Sequence, residues 1–204
     1  MALFKKFFNN CAKPLGFGGR LMLKMMNSGH VENSKWGFDH LHVKEEDRVL
    51  DIGCGGGANL AVFLTRCTKG KVIGMDYSPE SVDMSLKLNS QAVEAKRCEV
   101  IQGDVMKLPF EAESFDIVSA FETIYFWPFL EEAFKGIHHI LKTKGVFMIC
   151  NDVAGSSEKW TKIIEGMKVY SDEALEAALK KAGFTKTDFY YNDKKNSLCI
   201  ISIK

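Results

Sequence analysis

The chain predicts an α/β fold: a doubly wound sheet of about seven strands, mostly parallel with one antiparallel strand near the C-terminus, preceded by a helical N-terminal extension. Three observations predict it. From about residue 47, short β-branched and aliphatic runs alternate with stretches of helical periodicity, which requires crossover connections and a sheet covered on both faces. The last two runs, 185–191 and 197–203, are separated only by Asn192-Asp193-Lys194-Lys195-Asn196, so they form a hairpin and one of them must run against the rest. Finally, 204 residues with 46% apolar and 26% charged side chains suit one domain with one substantial core.

Taken in order, residues 1–43 read as the helical extension, broken between Pro14 and Gly19, and residues 44–204 as the main domain. After the first strand, Leu60, Phe63, Leu64 and Cys67 fall at i, i+3, i+4 and i+7 and mark one helix face. The second strand, 71–76, is followed by Ser78 as N-cap, Pro79 as first helical residue and Glu80 in the first turn, opening a helix expected over 79–96. A third strand ends at Gly103-Asp104, and a fourth begins after the Pro109 turn. A helix over 128–142 would put Leu130, Ala133, Phe134, Ile137, Ile140 and Leu141 on one face. The last helix runs from Ser171 to Ala182, with Gly183 as its stop.

Function is most legible at Val49-Leu50-Asp51-Ile52-Gly53-Cys54-Gly55-Gly56-Gly57-Ala58-Asn59. A strand enters a glycine turn that opens into a helix, and glycine lets backbone N–H groups approach a ligand that a Cβ would hold away. Gly53-x-Gly55-x-x-Ala58 also satisfies the dinucleotide fingerprint. Asp51 separates the two readings. A carboxylate two residues before the first glycine repels a pyrophosphate and attracts an ammonium or sulfonium group.

Two further sites follow. Asp76 ends the second strand about twenty residues past the turn, placed to accept from the two hydroxyls of a ribose; a solvated loop aspartate is the plain alternative. Asp104 ends the third strand, where it can accept from an adenine amino group with Val105 against the ring.

Asp51-Ile-Gly-Cys-Gly-Gly-Gly57, Gly74-Met-Asp76-Tyr-Ser78, Gly103-Asp104-Val105…Leu108-Pro109-Phe110, Phe115-Asp-Ile-Val118 and Leu141-Lys-Thr-Lys-Gly145 together resemble the successive motifs of class I S-adenosylmethionine-dependent methyltransferases. The resemblance covers roughly residues 45–152 in order and spacing. It implies a Rossmann-like fold, S-adenosylmethionine as cofactor, S-adenosylhomocysteine as product, and no metal. By position it implies that Gly53 and Gly55 form the turn under the methionine moiety, with Asp51 facing its ammonium end and Cys54 and Asn59 among the cofactor-binding residues. Asp76 would hold the ribose and Asp104 the adenine, flanked by Tyr77 and Val105, while Phe121 and Glu122 would border the sulfonium. Lys144 before Gly145 departs from the proline-glycine or glycine-glycine often found in the last motif, which affects a surface turn.

Composition narrows the classes. A net charge of +1 argues against a dedicated nucleic-acid surface. Cys11, Cys54, Cys67, Cys98, Cys150 and Cys199 show no ligand spacing and read as reduced thiols of a cytoplasmic protein. His138-His139, alone on a helix, makes no metal site. No run approaches membrane-spanning length, and the basic-apolar start lacks a signal peptide's core.

The methyl acceptor must be met by three segments: a lid over Met25–Phe38 containing His30, the run Glu122-Thr123-Ile124-Tyr125-Phe126-Trp127-Pro128, and the loop from Asn151 through Trp160. Glu122, His30 and Tyr125 are the candidate bases. With no Asn/Asp-Pro-Pro-aromatic motif after the fourth strand and no appended domain, the expected partner is a small molecule, and the protein a monomer or homodimer. A cofactor-binding module without turnover and a nicotinamide-dependent oxidoreductase are the rival readings.

Overall fold

The structure, a computed structural model, describes residues 14, 16, 18–19, 21–23, 31–153, 160–194 and 196–204. Helix α1 (Val31–Phe38) precedes strand β1 (Arg48–Ile52), helix α2 (Ala58–Arg66) and strand β2 (Lys71–Asp76). Helices α3 (Pro79–Leu88) and α4 (Ser90–Glu94) lead to β3 (Cys98–Gln102), and β4 (Phe115–Phe121) to α5 (Leu130–Ile140) and β5 (Leu141–Asp152). Helix α6 (Asp172–Ala182), β6 (Lys186–Tyr191) and β7 (Ser197–Ile203) close the chain.

The seven strands form one sheet in the order β3-β2-β1-β4-β5-β7-β6. β1 pairs in parallel with β2 on one side and β4 on the other, so the winding reverses between β1 and β4. Ligands of such sheets bind at the carboxyl ends of the strands on either side of that reversal. β7 runs antiparallel to both β5 and β6, which makes it the single reversed strand the hairpin required.

One face of the sheet is covered by α5 and α6 through Phe134, Ile137, Leu175 and Leu179, packed on Val118 and Phe147. The other carries α1 and α2 through Phe38, Leu60 and Phe63. α1 sits close because Gly37 has no side chain: a Cβ there would lie 2.6 Å from Cys150 Sγ. The described part of the expected lid, Val31–Phe38, is a helix that packs on the sheet through Gly37 and Phe38 and lines a cavity with Val31, Ser34 and Lys35. The remainder, 25–30, lies outside the described residues.

Two expected boundaries are corrected. The helix over 79–96 breaks at Asn89, whose side chain donates to the Gly57 carbonyl at 3.1 Å and the Ser85 carbonyl at 3.0 Å. That tertiary contact holds the loop after β1 against α3. Leu141, assigned by periodicity to the face of α5, instead opens β5 opposite Phe115. Five described cysteines are free and buried.

Candidate functional site

The glycine turn between β1 and α2 is built by close approach. Gly53, Gly55 and Gly57 all have positive φ, at 74°, 53° and 86°. A Cβ on Gly53 would meet Thr123 Oγ1 at 2.3 Å, and one on Gly57 would meet Ser85 Oγ at 2.4 Å. At Gly55 the nearest neighbour is Leu23 Cδ2, 4.0 Å away, so its missing side chain leaves open space. The turn is tied to β2 through the N–H groups of Gly53 and Cys54, both donating to the Met75 carbonyl.

Two cavities open on this turn. The first, about 430 Å³, is walled by Gly53, Gly55, Asp76, Tyr77, Asp104 and Val105, and further along by Thr123, Phe126, Trp127 and Pro128. The second, about 320 Å³, lies between α1 and α2, with Ser34, Lys35, Cys54, Ala58, Asn59 and Arg66 on its walls. Gly53, Gly55, Phe121 and Glu122 belong to both, so the cavities meet across the end of β4. Asp51 and Tyr125 line neither.

The acids differ in their settings. Asp76 accepts from Gly55 N–H at 2.9 Å through Oδ2 and from Ser78 N–H at 2.9 Å through Oδ1. Its burial still pushes its pKa up. Asp104 caps the 3₁₀ turn Val105–Lys107 by accepting from Met106 N–H. Asp51 lies beneath the turn, where Ser119 Oγ donates to its Oδ1 at 2.7 Å while its buried Oδ2 has no protein partner among the described residues. Burial lifts its pKa to about 7 against the Ser119 bond, with the charge of Asp76 adding to the rise.

Glu122 is held at φ 53°, a left-handed conformation that costs a non-glycine residue about 1 kcal/mol or more. Its N–H donates to the Cys150 carbonyl at 2.9 Å and to Asn151 Oδ1 at 3.0 Å. The carboxyl reaches three donors: Asn33 Nδ2 at 2.5 Å on Oε1, and Tyr125 OH at 3.1 Å and Asp152 N–H at 3.4 Å on Oε2. Burial, then the charge of Asp152, raises its pKa to about 8 despite those bonds. Tyr125 stands behind Glu122, its hydroxyl also 3.1 Å from the Asp152 carbonyl.

Of the candidate residues, ten line a cavity: Gly53, Cys54, Gly55, Asn59, Asp76, Tyr77, Asp104, Val105, Phe121 and Glu122. His30 lies outside the described residues. Ser34 and Lys35 fall within the segment expected to cover the site, whereas sequence reasoning did not find Leu23, Arg66, Glu165 or Gly166, which reach the cavities only through tertiary packing.

Residues 50–149 match the family model described as a methyltransferase domain. The sterol 24-C-methyltransferase of Debaryomyces hansenii is 30% identical over 156 residues, covering 71% of this chain and 41% of that protein. Residues 50–149 thus carry a methyltransferase domain, and the comparisons support a class I S-adenosylmethionine-dependent methyltransferase. It spans about two fifths of the length of this curated relative. A methyltransferase of Aquifex aeolicus superposes with a TM-score of 0.74 at 18% identity, over 90% of this chain and 97% of that one. A chain from the complex between the Haloferax volcanii Trm112 methyltransferase activator and a methyltransferase gives 0.78 at 22%, over 89% and 93%. Both likenesses cover far more of the chain than residues 50–149, so the shared fold extends beyond the matched segment.

The described residues suit the methyl donor this family implies. The open face of Gly55 is a cradle that a Cβ would fill, and Asp51 Oδ2, buried beneath the turn, is an acceptor with no partner among the described residues.

Proposed function

We propose that the protein transfers a methyl group from S-adenosylmethionine to a small-molecule acceptor by direct displacement. The observation that carries this reading is the joining of two cavities over one glycine turn, with carboxylates on the first and cations beside the second. An adenosine fits the first: Asp76 for the ribose, Asp104 for the amino group, Tyr77 and Val105 for the faces of the base. The amino-acid end fits the second. There α2 opens with no side-chain cap, so its N-terminal N–H groups favour a carboxylate, with Asn59 and the ammonium of Lys35 at hand. Asp51 complements the ammonium from beneath the turn.

When bound, the donor supplies an electrophilic methyl group on a positively charged sulfur. This chain's own part is to hold an acceptor in line and keep water out. Phe121, Phe126, Trp127 and Pro128 form an apolar wall suited to a small molecule with an apolar face, in keeping with the sterol methyltransferase relatives. Positioning of this kind supplies several kcal/mol, up to about 7–11 in the best models. Glu122, which lines both cavities, is the carboxyl we place beside the reacting end.

A nicotinamide dinucleotide fits poorly: the Gly55 N–H that a pyrophosphate needs is held by Asp76. No described helix is long and apolar enough to cross a membrane; the cytoplasmic location is proposed from the cysteines alone. Calorimetry with S-adenosylmethionine and with NAD tests the site: binding of the first alone is expected, and binding of NAD alone overturns it. Turnover is tested by S-adenosylhomocysteine formation with small amines, thiols, phenols and carboxylates; a protein that binds the donor but yields none from any acceptor is a binding module.

A further inference from the structure

We infer that Glu122 is the proton acceptor of the transfer and that the charge on the bound methyl donor governs its proton: the carboxyl yields a proton when a sulfonium settles beside it, and takes one from the acceptor as that charge is lost. The inference rests on the proposed function, which puts the donor's sulfur where the two cavities join, and adds to it the fate of the proton.

Geometry singles Glu122 out. It is the only carboxylate among the described residues that lines both cavities. Its surroundings accommodate either protonation state without moving a heavy atom. Tyr125 OH lies 3.1 Å from Glu122 Oε2 and 3.1 Å from the Asp152 carbonyl. A protonated Oε2 donates to the phenol oxygen while the phenol donates to the carbonyl; on ionisation the phenol turns its proton to the carboxylate. Asn33 Nδ2 serves Oε1 in both states.

Among the described residues the titratable groups facing Glu122 are mainly acidic, and the cations on the second cavity are Lys35 of α1 and Arg66 of α2, whose guanidinium donates to the Phe38 and Leu41 carbonyls. Asp152 and Cys150 come from β5, Tyr125 from its own turn, and Glu165 faces the same cavity from the loop after β5. Lys35 of α1 lies on the second cavity and is exposed, so water screens it. Burial and the charge of Asp152 raise its pKa to about 8, so the protonated carboxyl is favoured at pH 7. An opposite charge within about 4–6 Å lowers a carboxyl pKa by about 1–3.

The step balances. A lone pair on the acceptor atom forms the bond to the methyl carbon, and the sulfur–carbon bond breaks with its electron pair left on sulfur as a neutral thioether. The proton on the acceptor atom passes to Glu122. The acceptor class is therefore one whose methylated atom carries a proton, such as a hydroxyl, thiol or amine. Glu122 returns to its protonated form, and the next donor displaces that proton to solvent.

S-adenosylmethionine and S-adenosylhomocysteine test this, because they share adenosine, ammonium and carboxylate and differ in the sulfonium. Protons coupled to Asp51 or Asp76 through the shared groups cancel in the difference. Calorimetry at pH 7 in two buffers of unlike ionisation enthalpy should show about 0.4–0.9 more proton released per S-adenosylmethionine than per S-adenosylhomocysteine. The ratio of their affinities should rise about 5- to 50-fold in favour of the sulfonium between pH 6 and pH 8. Glu122→Gln, which keeps shape but cannot ionise, should abolish both differences. Equal proton release and a flat ratio in the unaltered protein overturn the inference while leaving the binding site intact, as does their persistence in Glu122→Gln. If neither nucleoside binds, the proposed function fails and takes this assignment with it. Should Glu122→Gln not fold, the comparison in the unaltered protein decides alone.

Discussion

Gly55→Ala separates the fold from the site. Gly55 has φ 53°, and an added methyl would find Leu23 Cδ2 at 4.0 Å as its nearest described neighbour, so the substitution creates no clash among the described residues. Its cost to folding is the left-handed backbone, about 1–2 kcal/mol, which lowers Tm by about 2–8 °C for a domain of this size. Binding suffers for a different reason. The methyl projects where both cavities share a wall, and intrusion of one carbon into a fitted contact costs about 1–3 kcal/mol, or roughly 5- to 150-fold in affinity. The assay is paired: thermal unfolding without ligand, then titration with S-adenosylmethionine and S-adenosylhomocysteine. The expected result is a folded variant with a modest Tm loss and weakened binding of both nucleosides. A variant that binds both as tightly as the unaltered protein would show that neither passes over the turn, and the reasoning from Gly55 would be wrong.

Gly57→Ala should behave in the opposite way, because its methyl would meet Ser85 Oγ at 2.4 Å, Asn89 Nδ2 at 2.7 Å and the Ser85 Cα at 2.9 Å; a stability loss of about 2–4 kcal/mol in urea unfolding is expected, and an unchanged midpoint would refute the packing. Asp76→Ala should weaken S-adenosylmethionine more than tenfold, since hydrogen bonds to a charged acceptor are lost; equal affinity by calorimetry would remove Asp76 from the ribose site. Asp51 has a folded pKa of about 7 against an ordinary 3.8, so the unfolded chain ionises first and stability should fall as pH rises from about 4 to 7. The full loss is of order 4 kcal/mol. Asp51→Asn should flatten that part of the pH profile in chemical denaturation, and a slope equal to that of the unaltered protein would place the titration elsewhere.

What was legible in the sequence was what local chemistry dictates. Ser171 and Gly183 bracket α6 because a hydroxyl cap and a left-handed glycine act within one turn; Ser171 accepts from Ala174 N–H, and Gly183 has φ 108°. The β6–β7 hairpin was legible because five polar residues leave no room for a crossover. Within the site, Gly53, Gly55, Asp76 and Asp104 carried their spacing openly. The second cavity did not, because it exists only once α1 docks with Gly37 on Cys150, bringing Lys35 opposite Asn59 across many residues of sequence. Asn33 and Glu122 are 89 residues apart, and no periodicity announces their contact. The break at Asn89 escaped for the same reason, its cause being a carbonyl of the glycine turn.

The backbone at Glu122 joins these observations. A left-handed position directly after a strand would suit glycine, and glycine there would relieve about 1 kcal/mol or more. The chain instead carries glutamate, held by two bonds from its N–H to Cys150 and Asn151 and by three donors on its carboxyl. Those partners come from α1, the turn after β4 and the end of β5, so three separate segments converge to keep one strained acid at the mouth of both cavities. The φ of 53° turns the chain sharply off β4 just where Thr123 fills the space that glycine leaves at position 53. The same distortion thus closes the floor of the cofactor turn and sets the acid on its rim. Strain that serves only packing is readily removed by one substitution, and strain supported from three sides is what the proposed role of Glu122 as a positioned proton acceptor would require.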